Sequence, residues 1–177
     1  MNNTNNAQNS KLQEKIINEL QKNCRLNLDE IGKKCGCSRY KVGRVIKKLE
    51  ENETIIGYSA IIDPRKLNLK HYILLIKRTN IPLDESFLKK LPVSKTSDLL
   101  PETDINVNHE DTRYLHGYYD WIATFTTDDI SHAKEFCNQI LKVFHKYVEN
   151  IELLETVKPI RINGFSIPQT STIPEIL

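Results

Sequence analysis

Along the first third of the chain, apolar residues recur at the three-to-four spacing of amphipathic helices. Leu12, Ile16, Ile17 and Leu20 form one stripe, with Ser10 placed to cap it and Gln13 three residues on, which predicts a helix over 11–23. In "RLNLDEIGKKCG", residues 25–36, Asn27 and Glu30 stand at capping-box spacing, Leu28, Ile31 and Cys35 face inward, and Gly36 supplies a left-handed stop. Ser38 then caps a third helix running to about Asn52. Its Val42, Val45, Ile46 and Leu49 fall within an arc of about 100°, the width of a buried stripe. Three helices, the last two joined by a tight Gly-containing turn, make a helix-turn-helix arrangement.

From residue 55 the pattern shifts to β-branched and alternating runs. "IIGYSAIIDP" (55–64) predicts a strand stopped by Asp63-Pro64, and "HYILLIKR" (71–78) predicts another. A helix follows in "LDESFLKKL" (83–91), then a polar excursion over 92–104. "INVNHEDTRYLH" (105–116) and "YDWIATFT" (119–126) predict two strands about Gly117. The firmest helix is "ISHAKEFCNQILKVFHKYV" (130–148), where Ala133, Phe136, Cys137, Ile140, Leu141, Phe144 and Val148 make an unbroken stripe. "NIELLETVKPIRI" (150–162) closes the series as a strand. The order βαββαβ implies a ferredoxin-like layer of helices on an antiparallel sheet.

The predicted fold class is therefore α+β: an N-terminal winged helix-turn-helix followed by a ferredoxin-like βαββαβ domain. The expected organisation is a disordered leader (1–10), the helix-turn-helix (11–54), a linking strand or hinge (55–70), the sheet domain (71–163) and a tail (164–177).

Charge sharpens this division. The whole chain carries only +2, but residues 1–50 hold 11 Lys/Arg against 5 Asp/Glu, net +6, while residues 51–177 hold 14 against 18, net −4. A basic head on a mildly acidic body implies an anionic partner for the head. The opening "MNNTNNAQNS" is neither a secretory signal nor an Arg-rich transit peptide. The longest apolar runs, such as "YILLI" at 72–76, fall far short of the roughly 20 residues of a membrane-spanning helix, so no membrane partner is expected and the location expected is cytoplasmic. Cys24, Cys35, Cys37 and Cys137 lack both the pairing pattern of a secreted disulfide framework and the usual spacing of zinc ligands. They read as small core residues, and no metal or cofactor is expected.

The third helix concentrates the charge. "CSRYKVGRVIKKLE", residues 37–50, carries five cations and one carboxylate, and Lys41, Arg44, Lys47 and Lys48 all lie off the apolar stripe. A merely solvated face mixes signs at i,i+4 spacing; here no carboxylate interrupts 38–48. A duplex carries one phosphate charge per about 1.7 Å, and its major groove admits a helix, so double-stranded DNA is the expected partner. First-turn residues of the second helix in this motif meet base edges and later ones the backbone. That assigns Ser38, Arg39, Tyr40, Lys41 and Arg44 to bases and adjoining phosphates, and Lys47 and Lys48 to phosphates.

These residues carry a resemblance. "RLNLDEIGKKCGCSRYKVGRVIKKLEENETIIGYSAIIDPRKL", residues 25–67, resembles the N-terminal half of the Lrp/AsnC (feast/famine) transcription regulators, in its Arg-to-Ser spacing, its "RxxKLE"-like helix end and its "IxGYxAxxDPxxL" strand. "YLHGYYDWIATF", residues 114–125, is similar to the "xxGxYDxxxxx" segment of their C-terminal domain. The sequence departs from the family at Cys37 (usually Leu), Arg39 (usually Pro) and Val45 (usually Arg). Glu53 stands where a Gly usually follows the recognition helix, leaving Asn52 to make the turn. The 92–104 excursion is longer than the family's connection.

The resemblance implies a homodimer, or a higher oligomer, that senses a small effector, commonly an amino acid, through a loop where subunits meet. Leu115, His116, Gly117, Tyr119 and Asp120 are the residues it points to, with Gly117 N–H groups taking the carboxylate, Asp120 the ammonium, and Tyr118, Tyr119 and Trp121 as apolar walls. Read without the resemblance, Gly117 and Asp120 equally make a plain hairpin turn.

An enzyme is the competing class. Siroheme decarboxylases of haem biosynthesis are similar in layout and use histidine and arginine from this sheet region. Strand alternation puts His109 and Arg113 on one face and His116 on the other, which separates the cluster such chemistry needs. A cation-rich third helix has no use in such an enzyme, and the chain shows no Gly-rich phosphate loop, no nucleophile elbow and no catalytic residues to assign. A third reading is a ligand sensor without an operator.

Overall fold

The computed structural model describes residues 2–85 and 107–167, with side chains from Gln8 onward. The chain divides into two compact units, residues 1–60 and 61–177.

In the first unit, helix α1 spans Asn2–Lys22, α2 Leu28–Cys35 and α3 Arg39–Glu51. α1 begins well before its predicted start, so the stretch expected as a disordered leader is helical from Asn2, and Ser10 lies inside the helix rather than capping it. The segment holds neither Gly nor Pro to interrupt a helix propagating from the packed turns that follow. The α2 capping box forms as predicted: Asn27 Oδ1 accepts from Glu30 N–H at 2.9 Å, and Glu30 Oε2 accepts from Asn27 N–H at 2.8 Å. Gly36 ends α2 at φ +70°, and Ser38 opens α3 after the single intervening Cys37. Ile16, Ile31, Cys35 and Val42 form the core, with Leu12, Leu20, Leu26, Cys37, Val45 and Ile46 packed around it. Glu19 ties α1 to α2 through Lys34 at 2.8 Å, and hydrogen bonds from Lys22 and Lys34 hold its carboxyl below the usual range.

The left-handed turn after α3 falls on Glu53 (φ 57°), not on Asn52, whose φ is −98°. Asn52 uses its side chain instead, accepting from Thr54 N–H at 3.2 Å and Thr54 Oγ1 at 2.8 Å. The strand expected over 55–64 is not formed: residues 56–63 have no ladder partner among the described residues, and Ile56 is 94 % exposed. Extended chain becomes a strand only when its backbone groups find a neighbour. The wing that this strand would have supplied is likewise absent from the described residues. Tyr58 donates to Glu50 Oε1 at 3.0 Å, which returns the segment to α3.

In the second unit a 3-10 turn, Pro64–Leu67, leads into strand β1 (Lys70–Arg78). Then come β2 (Asn108–Tyr114), β3 (Trp121–Thr127), α4 (Ile130–Phe144), β4 (Val148–Glu155) and a hairpin of β5 (Arg161–Ile162) and β6 (Phe165–Ser166). The main sheet is antiparallel in the order β2-β3-β1-β4, that of the predicted ferredoxin-like fold. The helix expected over 83–91 reaches past Glu85, and with the 92–104 excursion it lies outside the described residues. Tyr72, Leu74 and Ile76 of β1 and Trp121, Ala123 and Phe125 of β3 cover one face, against Ala133, Phe136, Cys137 and Ile140 of α4. Asp129 caps α4 by accepting from Ser131 N–H at 2.6 Å. The helix stops at Phe144, so Val148 joins the core from β4 instead of from the helical stripe.

The run predicted as one strand over 150–162 is broken after Glu155. Its last two residues turn back at Asn163 (φ 47°) and Gly164 (φ +86°), the paired left-handed geometry that Asn-Gly favours. Burial pushes the Cys35 thiol up and that of Cys137 to about 11, as for core residues.

Candidate nucleic-acid interface and effector loop

All seven residues assigned to DNA stand on α3 or its cap, and all are exposed. Ser38 Oγ accepts from Lys41 N–H at 3.3 Å, which fixes the start of the helix and leaves the hydroxyl proton available to an acceptor. Tyr40 is 78 % exposed, and its ring lies beside the likewise exposed Arg39 guanidinium and not in the core. Lys41, Arg44 and Lys48 make no ion pair among the described residues. Two carboxylates from outside the 38–48 stretch do reach the ridge, one from α2 and one at i,i+4 spacing on α3. Asp29 of α2 lies 3.4 Å from Arg39 Nη1, and Glu51 lies 3.7 Å from Lys47 Nζ. Both pairs are exposed, where such contacts contribute about 0–1 kcal/mol.

The second set sits on the connection from β2 to β3. Leu115 N–H donates to Asp120 O at 2.8 Å, and Asp120 N–H donates to Ile76 O at 2.9 Å, so the loop is stitched to β1. Asp120 Oδ2 accepts from Arg78 N–H at 2.9 Å and pairs with Lys77 Nζ at 3.2 Å. The Arg78 main-chain donor, aided by Lys77, holds this carboxyl below the usual carboxylate range. Asp120 Oδ1 has no such contact among the described residues. The Tyr119 hydroxyl bonds the Glu152 carboxylate of β4, which pushes its pKa up to about 12. Tyr118 is 77 % exposed, meets Tyr119 edge-to-face and lies beneath Lys77 Nζ at 5.5 Å. Leu115 and His116 are exposed. Gly117 needs to be glycine for neither conformation nor room: its φ is not left-handed and an added Cβ meets nothing within 4 Å.

Trp121 is buried, edge-to-face with Tyr114 and 5.7 Å below the Arg78 guanidinium. Lys77 and Arg78, which carry Asp120, were missed in the sequence because strand register brings them to the loop. His109 and Arg113 correct another expectation. A bulge between His109 and Asp111 places His109 opposite Phe125 and Arg113 opposite Ile122, which are on different faces of the sheet. The histidine-arginine cluster of the enzyme reading is thus split further.

The basic trihelical head and the separate antiparallel sheet unit define a transcription regulator of the helix-turn-helix class. Comparison with known proteins makes this specific. The AsnC-type helix-turn-helix domain matches residues 11–50. The chain is 45 % identical over 53 residues to the uncharacterized HTH-type transcriptional regulator PH0045 of Pyrococcus horikoshii, a match spanning 30 % of this chain and 34 % of the relative. It is 31 % identical over 121 residues to the uncharacterized HTH-type transcriptional regulator YezC of Bacillus subtilis, spanning 68 % of this chain and 77 % of the relative. The fold is shared with the transcriptional regulator NMB0573 of Neisseria meningitidis, solved as a complex with L-Met, at a TM-score of 0.64 and 19 % identity over 90 % of this chain and 96 % of that one. The chain belongs to the Lrp/AsnC family of transcription regulators. The siroheme decarboxylase reading is not favoured. Among the described residues no helix is long and apolar enough to cross a membrane.

Proposed function

We propose that the protein is a homo-oligomeric cytoplasmic regulator that inserts α3 into the major groove of double-stranded DNA and responds to a small effector, an amino acid in the first instance. The observation that carries the DNA reading is the outer face of α3, where Lys41, Arg44 and Lys48 stand exposed without ion pairs while Val42 and Leu49 anchor the opposite side. Ser38, Arg39, Tyr40, Lys41 and Arg44 face bases and nearby phosphates in this reading, and Lys47 and Lys48 face phosphates only. The test is duplex binding across a salt series. Binding should weaken steeply with salt, and Arg44→Ala should lower the log–log slope by about 0.9. Binding indifferent to salt would overturn the assignment.

The effector reading rests on Leu115, His116, Gly117, Tyr119 and Asp120. An uncommitted Oδ1 on Asp120 suits an ammonium, and open space at Gly117 admits a carboxylate to the main-chain N–H groups. NMB0573, which shares the fold, was solved with L-Met. The chain has a single tryptophan, Trp121, beside this loop, so its fluorescence reports on occupancy. Titration with amino acids should shift that emission, and Asp120→Ala should abolish the shift while leaving DNA affinity intact.

Oligomerisation is supported by apolar surface. In the second unit Ile73, Leu75 and Ile122, on the sheet face away from α4, are half-buried, and Leu154 is exposed. In the first unit Ile56 and Tyr58 are exposed. Two heads on a two-fold axis require half-sites spaced by about one helical turn or a multiple of it. Sedimentation showing a monomer at micromolar concentration would refute this part.

A further inference from the structure

Asp29 and Arg39 meet across the turn between α2 and α3; Asp29 also stands in the first turn of α2, where a carboxylate complements the helix N-terminus, but that role does not call for a contact with Arg39. Arg39 Nη1 lies 3.4 Å from Asp29 Oδ2, with the side chains 56 % and 58 % exposed, and the guanidinium carbon lies 5.9 Å from the centroid of the Tyr40 ring. A pair this exposed contributes about 0–1 kcal/mol to stability, so its effect has to be sought elsewhere. What it does is orient. A guanidinium is a planar fork of five N–H donors. With one edge turned to Asp29 and Tyr40 beside it, the side chain loses rotational freedom and keeps other N–H groups for an incoming acceptor pair.

We propose that Asp29 is a specificity-determining residue that positions Arg39 to read a guanine in each half-site. The inference rests on α3 being the groove-entering helix. Arg39 is the first residue of α3, where this motif meets base edges. Guanine presents two acceptors, N7 and O6, to a donor-only fork. Adenine presents one acceptor and one donor, and thymine a single acceptor, so neither matches it. Docking also displaces water from the pair. As the effective dielectric falls from about 80 to about 20, the attraction between Asp29 and Arg39 grows about fourfold, so the orientation is held most firmly when the base is being read. On a duplex without that guanine, the Asp29 carboxylate faces phosphates and no base contact offsets the repulsion. One carboxylate therefore strengthens the correct choice and penalises the wrong one.

The experiment uses the full chain. Bound duplexes are selected from a random pool with wild type, Arg39→Ala, Asp29→Asn and Asp29→Glu, and the selected duplex is compared with versions in which each guanine is replaced by adenine. Wild type should prefer guanine at one position per half-site by about tenfold or more, the discrimination of a bidentate pair. Arg39→Ala should lose that preference. Asp29→Asn should lose most of it while binding the adenine duplex more tightly, and Asp29→Glu should retain it. If Asp29→Asn instead tightens binding to every duplex by one factor and leaves the guanine preference unchanged, Asp29 is only a repelling charge and the proposal falls. It falls equally if Arg39→Ala keeps the preference. Failure of the DNA reading itself looks different, because wild type would then select no duplex at all.

Discussion

Gly32 and Cys37 approach so closely that a Cβ at Gly32 would lie 2.6 Å from the Cys37 carbonyl oxygen. Two amides already converge on the Gly32 carbonyl, the Cys37 N–H at 2.9 Å and the Gly36 N–H. The turn that sets α3 against α2 is therefore closed on both sides of this residue. Gly32→Val places a branched side chain where main chain stands and should cost about 3 kcal/mol. A thermal melt should show the head unfolding at lower temperature, with duplex binding lost in parallel.

Glu53 holds a left-handed conformation that glycine adopts without strain. Glu53→Gly should therefore stabilise the head by up to about 1 kcal/mol, the strain relieved exceeding the entropy lost. Chemical denaturation should show a higher midpoint with an unchanged slope. A lower midpoint would mean that the Glu53 side chain makes a stabilising contact.

Asp120 makes the second unit sensitive to acid. Its folded pKa lies below the unfolded value, so the stabilisation is present above about pH 4 and is lost as pH falls through the folded value. Asp120→Asn keeps an acceptor for Arg78 N–H but loses the Lys77 pair. Stability at neutral pH should drop by less than about 1 kcal/mol, and the loss on acidification below about pH 4 should become shallower than in wild type. Circular dichroism melts over that range measure both.

Tyr119 acts at the opposite end of the scale. Its pKa is raised to about 12 by the Glu152 carboxylate. Its stabilisation is complete below the unfolded value of about 10 and disappears as pH rises from there to about 12. Tyr119→Phe should lower stability at pH 8 and remove part of the alkaline decline, read from urea midpoints on both sides of about pH 10.

Lys47 distinguishes the proposed phosphate contact from a helix-surface pair. Its contact with Glu51 contributes about 0.3–0.5 kcal/mol at most, so Lys47→Ala should barely move the melting temperature. The same change should weaken binding to all duplexes alike and reduce the salt slope by about 0.9, measured by gel shift.

The sequence was most readable where local chemistry decides the outcome. Asn27 with Glu30, Gly36 and Ser38 each specify a helix end within four residues, and all three ends form as read. The sheet order followed from the alternation of elements. Where the outcome depends on partners distant in sequence, the reading failed. The 55–64 run has strand chemistry but no ladder partner among the described residues, and the bulge before Asp111, which puts His109 and Arg113 on different faces, comes from pairing with β3. Asp29 beside Arg39 and Lys77 beside Asp120 also depend on tertiary placement. Asn163-Gly164 is different, because the dipeptide is itself a hairpin signal and was overlooked where the expected strand passes into the expected tail.

Only Val42 and Leu49 of α3 are fully buried, so the helix is retained by a narrow inner seam while most of its surface is open to change. Substitutions on such a surface typically alter stability by no more than about 0.5 kcal/mol. Side chains on this outer face can therefore be exchanged, and a proposed base preference altered with them, without the inner seam of Val42 and Leu49 being disturbed.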